Sequence, residues 1–362
     1  MKKNLIAVAA LALVSGAAMA QSSVTVYGNV DLGLLTQSNV KANESTELYN
    51  GGISPSIWGF RGSEDLGGGL KAMFNLEAHF YADTGAGQGA GIMFRRQSNV
   101  GLSSAGMGTL TLGTMYSPAV LAFAATDPRG LRENFSGLYP WAYNSGALAS
   151  ANMPATAGNP SNNDVGVFMQ NAISYSNSMG PVNLAIGYSL AEKVSTSGRG
   201  GAVLALGATY TGPLTVSAAY QKTNYAGTSN ELSTMYSVGA GYSMGALTGK
   251  VNYLKGREKG LTGGDLTDVG ILGLGLDWKM AANNTLMLAV YTGKDSRTVA
   301  SSKTTSFVLS DEYALSKRTT LYGQVTFVNA DAGAGLRTSI VAGGTLADRN
   351  ARLFNIGVKH SF

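Results

Sequence analysis

Along most of this chain apolar and polar residues alternate one for one. Val24, Val26, Val30, Leu32 and Leu34 share one parity, and Ser23, Thr25, Asn29 and Asp31 take the other. The pattern returns with Ala72, Phe74, Leu76, Ala78 and Phe80 against Lys71, Asn75, Glu77 and His79, and again with Leu272, Leu274, Leu276 and Trp278 against Gly273, Gly275, Asp277 and Lys279. A period of two predicts strands with one oily and one wet face. A strand of a soluble sandwich reads the same locally; what differs here is the number of such runs and the lack of helices between them. The turns come in two styles, short ones such as Gly67-Gly68-Gly69 and Gly180-Pro181, and longer polar ones such as 85–91 and 195–201. The longest stretch without alternation runs from about Ser117 to Asp164 and holds Pro118, Pro128, Pro140, Pro154 and Pro160. It is too long for a plain connection and points to function. The strand pattern resumes after Asp164 with no domain boundary. Phe354, Ile356, Val358, His360 and Phe362 keep one parity to the last residue, which predicts a closing strand rather than a frayed tail.

Composition then separates the fold classes. Charged residues make up 13% of the chain, about half of the usual ~25%, so an ordinary charged surface is excluded. Beyond the N-terminus no apolar run approaches the ~20 residues of a membrane helix. Low charge without apolar runs predicts a membrane β-barrel, whose lipid-facing apolar residues alternate with small and polar lumen-facing ones. The competing class is a soluble secreted β-protein, which would be released without detergent. At the start, Met1-Lys2-Lys3, the apolar run Leu5 to Val14 and Ala18-Met19-Ala20 predict a signal peptide over residues 1–20, cleaved after Ala20. The mature domain is then 21–362. There is no cysteine, so disulfides and thiol chemistry are excluded, and closure of the sheet is an alternative source of stability. Without Lys2 and Lys3 the formal charge falls from +5 to +3, too little to argue for nucleic acid as a partner.

Chemistry is sparse. His79 and His360 are the two histidines, each on a predicted strand, and neither has the spacing of a triad or a metal site. The glycine-rich run 85–91 lacks the Lys-Ser/Thr pair of a phosphate loop, and Glu64-Asp65 beside Gly67 reads as a turn. No catalytic residue, metal or cofactor is expected.

Specific strings carry a family resemblance over essentially the whole mature chain. The start Ser22-Ser23-Val24-Thr25-Val26-Tyr27-Gly28 and above all Trp58-Gly59-Phe60-Arg61-Gly62-Ser63-Glu64-Asp65-Leu66-Gly67-Gly68-Gly69-Leu70-Lys71-Ala72 resemble the general trimeric porins of Gram-negative bacteria, of betaproteobacterial type. Arg96-Gln97 before Val100-Gly101-Leu102, Tyr116-Ser117-Pro118, Asn171-Ala172-Ile173-Ser174-Tyr175, Tyr313-Ala314-Leu315-Ser316-Lys317-Arg318-Thr319 and the ending Gly357 to Phe362 fit the same family. The resemblance implies a 16-stranded antiparallel transmembrane barrel, assembled as a homotrimer in the outer membrane, with the third external loop folded inward. The region 117–164 falls where that loop belongs. Passive diffusion of ions and small hydrophilic solutes is the function implied, with lipid and lipopolysaccharide outside and the barrel assembly machinery reading Phe362. A non-conducting barrel acting as an adhesin or enzyme through external loops is the alternative.

In that family, basic wall residues face acidic residues of the inward loop across the pore. Arg96 stands at a wall-arginine position of the motif. Arg61 has lumen parity if Trp58 and Phe60 face lipid, and Lys71 and Glu77 share lumen parity on the next strand. Asp127 and Glu133, the latter within Glu133-Asn134-Phe135-Ser136-Gly137, are similar to the acidic segment of the loop. Arg95, Arg129 and Arg132 read equally as solvated rim charges. Where relatives carry arginines this chain has Ile57, Thr114 and Phe168, so the lumen is expected to attract anions less than is usual for this branch.

Overall fold

The alternation builds strands. The computed structural model describes residues 23–40, 43–88, 92–132, 167–190, 201–225, 229–260, 262–297, 303–331 and 350–362. Its strand segments are β1 (Ser23–Val40), β2 (Asn43–Asn50), β3 (Ile57–Gly67), β4 (Leu70–His79), β5 (Gln97–Ser104), β6 (Gly108–Tyr116), β7 (Phe168–Met179), β8 (Val182–Ser189) and β9 (Val203–Tyr210) in the first part. They continue as β10 (Leu214–Asn224), β11 (Glu231–Met244), β12 (Leu247–Lys259), β13 (Asp265–Ala281), β14 (Asn284–Asp295), β15 (Thr304–Ala314), β16 (Thr319–Ala330) and β17 (Ala351–Ser361). All belong to one antiparallel sheet. The last segment pairs back on the first, from Asn29↔Ser361 to Gln37↔Leu353, and so closes the sheet into a barrel.

Segments β2 and β3 lie end to end along the same flank of β1, β2 against Leu32 to Val40 and β3 against Ser23 to Asn29. They form one stave interrupted at 51–56, and the barrel has 16 staves. Closure leaves no edge to template a foreign strand and satisfies the backbone groups that lipid cannot. Tight turns gather at one end. The turn between β3 and β4 needs positive φ at Gly68 (62°) and Gly69 (79°), which glycine adopts without the Cβ penalty.

Large apolar residues of one parity, such as Val24, Val26, Leu102, Leu274 and Phe354, stand exposed on the outer wall, while many residues of the other parity, such as Asp31, Asn252, Gln324 and Asn355, are buried inside. This inverts a soluble protein and suits a lipid surround. Phe80, expected to extend the outer face of β4, forms only an isolated bridge with Gly87. Among its described residues, the stretch without alternation holds an element that the pattern did not predict, a helix α1 (Pro118–Ala124). Ser117 caps it by accepting from the Ala119 N–H at 3.2 Å, and Pro118 opens it, where its missing N–H costs nothing. Seven residues are too few for helical periodicity to stand out.

Candidate functional site

From the end of β6 the chain turns inward and runs along the inner wall. The helix α1 packs on β9 and β10, with Ala119 and Phe123 fully buried. Ser117 Oγ hydrogen-bonds Gln221 on β10. Thr126 Oγ1 lies 2.6 Å from Ser217 Oγ and accepts from Asn252 Nδ2 at 2.7 Å. Asp127 accepts from the Leu131 N–H at 2.6 Å and from the Tyr291 hydroxyl at 3.2 Å. Arg132 forks onto both oxygens of Glu312, at 3.0 Å each. Residues 117–132 therefore reach from β6 round to β15 and β16 while touching the wall throughout.

Glycines in the wall make room for that path. A Cβ at Gly207 would strike the Pro118 carbonyl, one at Gly239 would strike Thr126 Oγ1, and one at Gly275 would lie 2.7 Å from Pro128 Cβ. A Cβ at Gly187 or Gly273 would also be tight, 3.1 Å from Pro118 Cδ and 3.0 Å from Pro128 Cγ. Glycine inside a strand often marks a backbone that another chain segment approaches, and these five positions form such a bed.

A second segment bends inward at 51–56, in the break between β2 and β3. Asp31 on β1 holds it, accepting from the Ile53 and Ser54 N–H groups at 2.9 and 2.7 Å and from the Tyr322 hydroxyl at 2.6 Å. Gln324 then joins the two inward segments. Its Oε1 accepts from Arg129 Nη2 at 2.6 Å, and its Nε2 donates to the Gly52 carbonyl at 2.9 Å and Asn355 Oδ1 at 3.1 Å. All of these polar side chains are buried and hydrogen-bonded, although Arg129 Nε itself has no partner among the described residues.

The residues singled out in the sequence fall into separate groups. Arg96 and Glu77 form an ion pair at 2.8 Å, with side chains only 4% and 6% exposed. Arg96 also donates to the Tyr116 hydroxyl and lies 5.1 Å from the Phe168 ring centroid. Glu77 accepts from the Tyr27 hydroxyl at 2.9 Å. Arg61 is exposed on the inner wall, its guanidinium 5.0 Å from the Tyr27 ring centroid. Lys71 is exposed near the tight-turn end, paired in register with Asp65. Asp127 is fully buried under its two donors. Glu133 lies outside the described residues.

Ile57 borders the lumen beside Asn29 and His79, and the Phe168 ring packs tilted against that of Tyr116, their centroids 4.6 Å apart. Thr114 instead pairs with Ser98 on the outward parity, next to a register shift. Of the three arginines that the sequence left open, Arg95 and Arg129 are buried and Arg132 is partly so. Neither Gln324 nor Asp31 drew attention as a site residue. Their wet parity on predicted strands was the available signal, and it is shared by every lumen residue.

The profile of a family described as Gram-negative porin matches residues 7–333. Outer membrane porin protein 32 of Delftia acidovorans is 34% identical over 378 aligned positions that span 100% of both chains. An outer membrane porin protein of Bordetella pertussis is 40% identical over 144 positions, covering 36% of this chain and 37% of that one. Among solved structures, the anion-selective porin from Comamonas acidovorans superposes with a TM-score of 0.78 at 27% identity, covering 94% of this chain and 100% of that one. OmpT of Vibrio cholerae in its trimer form gives a TM-score of 0.65 at 14% identity, over 94% and 99% of the two chains, and shows likeness of fold alone.

Proposed function

The chain belongs to the Gram-negative porin family, and from that premise we infer that it is a water-filled channel of the bacterial outer membrane through which ions and small hydrophilic solutes diffuse passively. It is a channel rather than an enzyme. The observation that carries this reading is the inward segment 117–132, held along the inner wall of a closed barrel by buried side-chain hydrogen bonds. Such a segment narrows a lumen and leaves a path beside it.

The assembly is a homotrimer, residues 1–20 are removed on export, and lipopolysaccharide and lipid surround the outer wall. The terminal Phe362, whose backbone exchanges hydrogen bonds with Gly28 at 3.0 and 3.2 Å, is read by the barrel assembly machinery. Arg61 and Lys71 supply accessible charge to the lumen, Arg96 and Glu77 line it as a neutral pair, and Asp127 anchors the loop. Glu133 takes the role of pore-facing acid on the resemblance alone. With Ile57 and Phe168 in place of cations, the lumen attracts anions less than is usual for its branch.

Single-channel recording in a planar bilayer tests the reading. Current steps of nanosiemens order, arriving in threes, are expected. Correctly folded barrels without conductance would refute it and turn attention to the external loops as the functional surface.

A further inference from the structure

Behind the seat of α1 the wall is thin. Gly207 and Ala219 face each other across β9 and β10 on the inner side, and Ala208 faces Ala218 one step along on the outer side. The helix packs on the inner pair. A Cβ at Gly207 would strike the Pro118 carbonyl and lie 3.1 Å from Ala122 Cβ, and Ala219 is buried in one cluster with Ala119, Ala122 and Phe123. None of these four wall residues carries a side chain larger than a methyl group, so little more than backbone separates the inward segment from the outer surface.

On that outer surface the missing side chains leave a groove of about 590 Å³, within the ~300–1,000 Å³ of sites that hold small organic ligands. Ala208 and Ala218 form its floor. Leu206, Tyr220 and Tyr236 lie in register one row further from the tight turn 211–213 and form a ridge above it, and Val238 flanks it beside Ala218. Leu206, Tyr236 and Val238 are exposed. The outer wall of an outer-membrane barrel faces lipid, so lipid covers this groove, and its place near a tight turn puts it on the periplasmic side. Between an apolar wall and lipid tails there is no hydrophobic drive. What retains a chain is van der Waals contact, which a void forfeits. An acyl chain laid on the two alanines touches floor, ridge and flank, whereas on a flat wall it touches one surface.

We propose that this groove seats one acyl chain of a phospholipid from the periplasmic leaflet, and that the seated chain braces β9 and β10 against α1. A chain in the groove gains its contacts while the two strands hold the geometry on which α1 also packs. That shared requirement couples the outer seat to the inward segment. The seat rests on the location of the barrel in the outer membrane and the brace on the helix behind it, and neither requires that the pore conduct.

The probe is dioleoylphosphatidylethanolamine, titrated into the folded protein in detergent, for wild type and for Ala208→Leu combined with Ala218→Leu. The two leucines fill the groove from outward positions and leave the inner face untouched. Native mass spectrometry counts the lipids that stay bound. Wild type is expected to retain one more lipid per protomer than the filled variant, which should bind at this site about tenfold more weakly. Hydrogen exchange then reads the brace. Added lipid is expected to slow the amides of 118–126 about two- to fivefold in wild type and to leave them unchanged in the variant. Heat-resistant migration on gels establishes folding, and Ala218→Leu alone carries the comparison should the double variant not fold. Equal numbers of retained lipids would refute the seat, and a groove covered by a neighbouring protomer would give that result. Retention of the extra lipid with unchanged exchange in wild type would refute the brace.

Discussion

Gln324→Leu puts the stapling of the inward segments to its hardest test. One buried amide accepts from Arg129 at 2.6 Å and donates to Gly52 and Asn355 at 2.9 and 3.1 Å. Leucine keeps much of the volume and offers neither donor nor acceptor. The bond lost from a charged donor is worth about 1.5–3 kcal/mol. The thioether of Met287, 3.6 Å from the other Arg129 nitrogen, is too weak an acceptor to replace it. The remaining anchors at Thr126, Asp127 and Arg132 stay in place, so the barrel persists and the effect is local. A shift of about 2.7 kcal/mol raises the ratio of released to latched loop roughly a hundredfold. Single-channel records read this directly, as excess open-channel noise and new conductance levels at fixed voltage. Arg129→Met combined with Gln324→Leu should be quieter than Gln324→Leu alone, because removing both partners leaves no buried guanidinium without its acceptor. Traces of Gln324→Leu that superimpose on wild type, or a double variant noisier than the single one, would refute the reasoning.

Gly239→Val places a side chain where Thr126 Oγ1 now sits; overpacking of about 1–3 kcal/mol is expected to lift the loop and change conductance while the barrel still resists heat in detergent, and an unchanged conductance would contradict the glycine bed. Ile57→Arg adds a lumen cation beside Asn29 and His79, and the reversal potential in a salt gradient should move toward anion preference; no movement would mean that this position does not meet the permeating ions. Phe362→Ala removes the ring that packs over Gly28, where a Cβ would lie 2.6 Å from Phe362 Cζ, but keeps the backbone bonds. Slower assembly into lipid vesicles is expected, from a loss of about 1 kcal/mol of half-exposed apolar contact, and equal rates would remove Phe362 from the assembly argument.

Period-two alternation carried most of the fold, because a strand in a barrel wall has lipid on one side and water or a polar loop on the other along nearly its whole length. It put Arg61, Lys71 and Glu77 on the lumen parity before any partner was known. It could not show that Glu77 cancels Arg96. That pairing depends on the chain returning through the loop between β4 and β5 to set Gln97 beside Glu77. Nor could it find the staple between Arg129 and Gln324, 195 residues apart, or that between Tyr322 and Asp31, 291 apart. Contacts at such separations exist only once the barrel has closed. The substitutions at Ile57 and Phe168 were legible because a missing charge is visible in sequence, and the outward parity of Thr114 follows from its alternation with Leu110 and Leu112.

The glycines show the same limit from another side. With 49 in the chain, their abundance reads first as turn chemistry, and Gly68 and Gly69 do serve that role with positive φ. Gly207, Gly239 and Gly275 occupy strand interiors instead, where glycine costs backbone entropy and contributes no side chain. What offsets that cost is the loop they admit. Larger residues at these three positions would push Pro118, Thr126 and Pro128 off the wall and into the lumen. The bare positions therefore bear on pore width as directly as any charged residue, since they set how far the inward segment can retreat. It follows that the width of the passage is written partly in strands β9, β11 and β13, far in sequence from the loop that narrows it.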